Sequence, residues 1–178
     1  MVIPYARQSI SQGDIDAVVE VLKSDYLTQG PVVPQFESAV AHLVHAKHAV
    51  AGNSATSLLH IACLALGVGK GDIVWTSPIS FSASANCALY CGAEVDFVDV
   101  DPDTFNMSVT ALAEKLETAK KANSLPKVII PVHMGGQSCE MEEISTLARK
   151  HGISIIEDAS HAIGGYYSSH RIGDCTYS

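Results

Sequence analysis

Long apolar runs are missing from this 178-residue sequence. A membrane-spanning helix needs roughly 18 or more consecutive apolar residues, and none occurs. Basic residues are scarce: 11 Lys and Arg stand against 19 Asp and Glu, for a formal net charge of −8. They form no cluster, which ranks nucleic-acid binding low, because that function needs a basic patch facing phosphate. The opening MVIPYARQSI lacks the charged-then-apolar pattern of a secretory signal. No Cys-x-x-Cys pair occurs among the five cysteines Cys63, Cys87, Cys91, Cys139 and Cys175. An odd number without zinc spacing argues against a disulfide framework or a zinc site, and points to reduced thiols in a cytoplasmic protein. No Gly-x-Gly-x-x-Gly follows the first strand, so a nicotinamide-binding domain also ranks low. Charged residues make up only 17% against 47% hydrophobic, the reverse of a disordered chain.

What is present is an alternation. Ser11 caps a helix carrying Ile15, Val18, Val19 and Leu22 at helical spacing. Tyr26 to Pro31 breaks it, and a second helix places Val33, Phe36, Val40 and Leu43 on one face. Strands are predicted at His48–Ala51, Asp72–Trp75, Glu94–Val98, Lys127–Val132 and Ile153–Ile156. Helices are predicted at Ser54–Leu66, Ser80–Tyr90, Ser108–Ala122 and Glu140–His151. Strand and helix in this rhythm imply an α/β fold with a mainly parallel sheet and helices on both faces. The strands at 128–130 and 153–156 are mostly apolar, as strands covered on both faces should be. No repeat or linker divides the chain, so one domain is expected. The last residues, Asp174 to Ser178, bring no element to a close, and the sequence reads as part of a longer protein.

Four segments carry chemistry, each following a predicted strand on the side where an open α/β sheet keeps its ligand. In Gly52-Asn53-Ser54-Ala55-Thr56-Ser57, free amides of a helix start could bind phosphate, although an ordinary capped helix has the same sequence. In Thr76-Ser77-Pro78-Ile79-Ser80-Phe81, Phe81 could stack on a flat ring, or be core. In Glu157-Asp158-Ala159-Ser160-His161, an acid at a strand end needs a partner. A protonated ring nitrogen would serve; so would the role of a helix cap. His133, in Val132-His133-Met134-Gly135-Gly136-Gln137, lines a cleft or is a satisfied loop histidine. Phosphate donors, a ring and a buried acid together are the contacts that pyridoxal phosphate (PLP) needs.

These segments, with Leu27-Thr28-Gln29-Gly30-Pro31 and Phe36-Glu37, resemble the DegT/StrS-type nucleotide-sugar aminotransferases over essentially the whole chain. Tyr5, Tyr26 to Gly30 and Thr76 to Phe81 are closer still to the subfamily acting in pseudaminic-acid synthesis. The resemblance implies the large domain of a fold-type I PLP enzyme, a homodimer at full length. Its cofactor is PLP and its partners are a UDP-sugar and glutamate, whose amino group goes to C4 of a 4-keto-6-deoxy-N-acetylhexosamine. It also implies cofactor contacts at Ala55, Thr56, Phe81, Asp158 and His161, and substrate contacts at Tyr5, Asp25, Tyr26, Leu27 and Thr28. The departure from the family is that no lysine follows Asp158. The Schiff-base lysine and the small carboxyl-terminal domain are therefore expected beyond Ser178, and residues 1–178 alone are expected to be inactive. A histidine in place of that lysine would make a sugar dehydratase. A non-catalytic protein that binds PLP or a nucleotide-sugar is the other alternative.

Overall fold

A computed structural model describes residues 7–178. Helix α1 (Gln12–Lys23) begins at a full capping box: the Ser11 hydroxyl accepts from Asp14 N–H, and the Asp14 carboxylate accepts from Ser11 N–H at 2.7 Å. It buries none of its residues. Helix α2 (Val32–Val44) buries only Val44. The apolar stripes of both helices therefore face outward.

The core is a four-stranded parallel sheet in the order β2-β1-β3-β4, formed by β1 (Ile73–Thr76), β2 (Glu94–Phe97), β3 (Val128–Ile130) and β4 (Ser154–Ile155). Alternation along β1 and β3 sorts side chains between two layers. Val74, Val128 and Ile130 pack toward α3 (Ala55–Ala65) and α4 (Ala83–Tyr90) with Leu59, Cys63 and Cys87. Trp75 and Ile129 pack toward α5 (Val109–Ala122) and α6 (Met141–His151) with Leu112, Leu116, Met141 and Ile144. Strands β1 and β3 thus feed both faces, in line with the expected helices on both faces of the sheet. The order also creates a switch point: β1 connects through α4 to β2 on one side, whereas β3 lies on β1's other side. Between the carboxyl ends of β1 and β3 the connections diverge and leave a crevice.

Three expectations need correction. Residues 48–51 form no strand; the Ala51 N–H is taken by the Glu37 side chain at 2.8 Å, and Val50 is exposed. Helix α4 starts at Ala83 rather than Ser80: residues 78–80 bend out of helical geometry, and the Ser80 hydroxyl bonds to that of Ser84. While β3 is wholly buried, β4 is exposed at Ser154 and only half-buried at Ile155. Among the described residues β4 is an edge, so one of its sides is uncovered. The structure adds a short antiparallel hairpin, β5 (Tyr166–Tyr167) with β6 (His170–Arg171), held to α6 by the Tyr167 hydroxyl bonding to Glu143 at 3.1 Å. Among the described residues no helix is long and apolar enough to cross a membrane.

Candidate functional site

A cavity of about 490 Å³ opens at the crevice. Its wall includes Ala55 and Thr56 from α3, Phe81 from the segment before α4, His133 beyond β3, and Asp158 and His161 beyond β4. Five residues expected at a cofactor (Ala55, Thr56, Phe81, Asp158 and His161), spread over more than 100 positions of sequence, thus meet at one place.

Lining the cavity is the start of α3. Ser54 caps it by accepting from Ser57 N–H at 3.2 Å, and the Ser54 carbonyl takes Leu58 N–H. Ala55 N–H and Thr56 N–H find no acceptor among the described residues. Two free donors at the positive end of a helix dipole make a cradle for an anion. Phe81 forms the side wall. It is 74% exposed, so its ring is not core and its face is free.

Also lining the cavity is Asp158. The sheet ladder continues past β4 to reach it: Asp158 N–H donates to Pro131 O at 2.9 Å, and His133 N–H donates to Asp158 O at 3.1 Å. The backbone is thereby fixed and the side chain is 6% exposed. Ser84 donates to Oδ2 at 2.7 Å and Ser160 to Oδ1 at 2.6 Å. All these donors are neutral. Among the described residues no Lys, Arg or His pairs with this carboxylate. A buried negative charge at a cavity wall without a counter-charge is costly, and a cation in the cavity removes that cost.

His133 is wholly buried. Its Nδ1 accepts from Cys139 N–H at 3.1 Å, so the ring proton sits on Nε2 and is donated to Glu157 Oε2, also at 3.1 Å. Both ring nitrogens are therefore occupied, and His133 forms the cavity floor as a satisfied histidine. Burial pushes the neighbouring Cys139 thiol up to about 12, and its S–H is donated to Val132 O. Asn106, itself buried, binds the loop that follows: its amide donates to Gln137 O and Ser138 O and its oxygen accepts from Met134 N–H, each at 3.0 Å. Gly136, at φ +90°, packs so close to His161 that an added Cβ would lie 2.9 Å from the His161 carbonyl oxygen. The exposed His161 side chain is thus carried on a backbone wedged against this loop.

The sequence did not single out Ser84, Ser160, Asn106 or Glu157. Serine near a helix start reads as a cap, and nothing local reveals a partner 74 positions away. Of the residues expected at substrate, Asp25, Tyr26, Leu27 and Thr28 lie exposed between α1 and α2 and do not line the cavity. Tyr5 lies outside the described residues.

The switch-point cavity of this parallel α/β sheet thus brings together two free helix-start amides, an exposed aromatic ring and a buried carboxylate without a cationic partner among the described residues. The chain belongs to the DegT/DnrJ/EryC1/StrS aminotransferase family, whose model matches residues 8–177. Over 171 residues it is 44% identical to the UDP-4-amino-4,6-dideoxy-N-acetyl-beta-L-altrosamine transaminase of Campylobacter jejuni, covering 96% of this chain and 44% of that protein. It is 43% identical over 171 residues to the spore coat polysaccharide biosynthesis protein SpsC of Bacillus subtilis, covering 96% and 42%. The chain therefore spans less than half the length of the curated relatives it matches. Among solved structures, Helicobacter pylori PseC, an aminotransferase involved in the biosynthesis of pseudoaminic acid, superposes with a TM-score of 0.86 at 35% identity, over 96% of this chain and 44% of that one. The PMP form of Streptococcus pneumoniae Spr1654 has a TM-score of 0.86 at 28% identity, over 96% and 46%, and that protein is also solved in a PLP form.

Proposed function

We propose that this chain is the cofactor-binding part of a PLP-dependent nucleotide-sugar aminotransferase. The observation that carries the proposal is Asp158, buried, lining the cavity and lacking a cationic partner among the described residues. The residues present fit PLP. Ala55 and Thr56 amides take its phosphate, Phe81 covers a face of its ring, Asp158 pairs with its ring nitrogen and His161 stands at its ring oxygen. When bound, PLP supplies an electron sink for moving an amino group, and it draws electrons best with the ring nitrogen protonated. The chain's own contribution is to hold that proton by placing a carboxylate beside it.

The remaining assignments extend this proposal, and the named transaminase and PseC relatives support only its sugar-aminotransferase part. The whole protein takes the amino group of glutamate and delivers it to C4 of a UDP-linked 4-keto-6-deoxy-N-acetylhexosamine in pseudaminic-acid synthesis. Residues 1–178 form the amino-terminal part of the large domain, and the lysine that carries the cofactor follows beyond them with a small carboxyl-terminal domain. Tyr5 and the exposed segment Asp25 to Thr28 contact the nucleotide-sugar. The outward apolar residues of α1 and α2, Val18 and Phe36 among them, suit a homodimer. Five unpaired cysteines suit the cytoplasm.

The test uses the full-length gene product, loaded with PLP and given the keto-sugar nucleotide with glutamate labelled at its amino nitrogen. Mass spectrometry should find the label in the nucleotide-sugar, and Asp158→Ala should abolish it. A nucleotide-sugar that loses a hydroxyl without gaining nitrogen would replace the transaminase by a dehydratase. Failure to retain PLP would overturn the cofactor reading itself.

A further inference from the structure

Ser84 is wholly buried in the first turn of α4, and three oxygens surround its hydroxyl: Asp158 Oδ2 at 2.7 Å, Ser80 Oγ at 2.8 Å and Phe81 O at 3.2 Å. A hydroxyl has one hydrogen to give. The carboxylate is both the nearest acceptor and the only charged one, and charge-assisted hydrogen bonds are about twice as strong as neutral ones. The hydrogen therefore points at Asp158, which leaves Ser84 Oγ to accept from the Ser80 hydroxyl at the cavity wall. The two hydroxyls form a directed line, Ser80 to Ser84 to Asp158. Ser84 stands on the helix that follows Phe81, and its backbone N–H donates to Phe81 O at 3.2 Å. One residue thus joins the carboxylate to the segment bearing the aromatic wall.

We propose that Ser84 is a positioning residue for the cofactor ring: by holding Asp158 Oδ2 it fixes the carboxylate's orientation, so that the acid meets a ring nitrogen lying against Phe81. This rests on the reading of Asp158 as the ring nitrogen's partner. Ser160 cannot substitute, because it holds the other oxygen, Oδ1, from the exposed side. Without Ser84 the carboxylate is tethered through Oδ1 alone and can turn about that bond.

The experiment measures equilibrium affinity of the full-length apoprotein for PLP and for its deaza analogue, in which carbon replaces the ring nitrogen. The analogue offers Asp158 nothing to pair with, so the ratio of the two affinities isolates the acid–nitrogen contact. Ser84→Ala should weaken PLP by about tenfold or more, the usual scale for a hydrogen bond to a charged group, and should leave the analogue's affinity unchanged. Ser84→Cys, near in shape but a weak donor, should lower the same ratio if the alanine variant folds poorly. Asp158→Ala is the reference and should erase the preference for PLP. If Asp158→Ala erases it and both Ser84 variants retain it, or weaken both ligands equally, Ser84 is structural only and the inference fails. If Asp158→Ala itself leaves the preference intact, the reading of Asp158 falls and this inference falls with it.

Discussion

Replacing Gly136 by alanine tests how tightly the loop beyond β3 is wedged against the segment carrying His161. Gly135 beside it is the control. Both have positive φ, +62° at Gly135 and +90° at Gly136, but a Cβ at Gly135 meets nothing within 4 Å, whereas at Gly136 it would lie 2.9 Å from the His161 carbonyl oxygen. Gly135→Ala should therefore cost only the left-handed backbone penalty, about 1–2 kcal/mol. Gly136→Ala incurs a similar penalty and an overpacking cost of about 1–3 kcal/mol, because the atom it meets is backbone and cannot rotate away. For a chain of this size 1 kcal/mol moves Tm by about 2–4 °C, so Gly136→Ala should melt about 2–12 °C below Gly135→Ala. Urea denaturation should show a shifted midpoint at an unchanged slope, the mark of lost stability rather than altered compactness. PLP affinity should fall in the Gly136 variant alone, since only there must His161 move. Equal losses in the two variants would refute the wedge.

Other outcomes follow from the same contacts. Ser11→Ala removes the capping box of α1 at about 1 kcal/mol; because α1 buries no residue, the loss should appear as faster amide exchange along α1 with little change in global Tm. The hydrogen bond from Lys127, then the Gly69 N–H, holds the Asp72 carboxyl below its ordinary value. Its contribution to stability is therefore present above the unfolded pKa of about 3.9 and is lost as pH falls through the lowered folded value. Lys127→Met should accordingly flatten the acid limb of a stability–pH curve followed by circular dichroism. Thiol labelling of the native protein should modify exposed Cys175 first, while buried Cys139, pushed up to about 12, reacts only on unfolding; rapid labelling of Cys139 would contradict its burial.

The sheet was legible because its apolar residues are arranged by rules of short range. Val128, Ile129 and Ile130 are apolar without a break, and all three are buried. Ser108 and Ser54 sit where helices begin, and both cap them. The cavity lining was legible to the extent that its members follow strands: Phe81 comes after β1 and Asp158 after β4, and both line the cavity. The residues at 48–51 look like a strand locally, but a strand exists only through a neighbour, and here a glutamate side chain takes the Ala51 N–H instead. His133 could be placed near the cleft, yet its role depends on Glu157 and Cys139, whose approach only the folded sheet decides. Ser84 was invisible for the same reason.

The strand order also governs when the cavity comes into being. Its walls are contributed near positions 55, 81, 133 and 158, and β4 is the last strand of the sheet among the described residues. A nascent polypeptide that has emerged only through β3 already holds the start of α3 and the aromatic wall but lacks Asp158. The contact that completes the wall, Ser84 to Asp158, closes a loop of 74 residues, and contacts of such separation form late and slowly. A ligand that needs both Phe81 and Asp158 is thereby tied to the arrival of β4, and stabilises only chains that have brought that strand into the sheet.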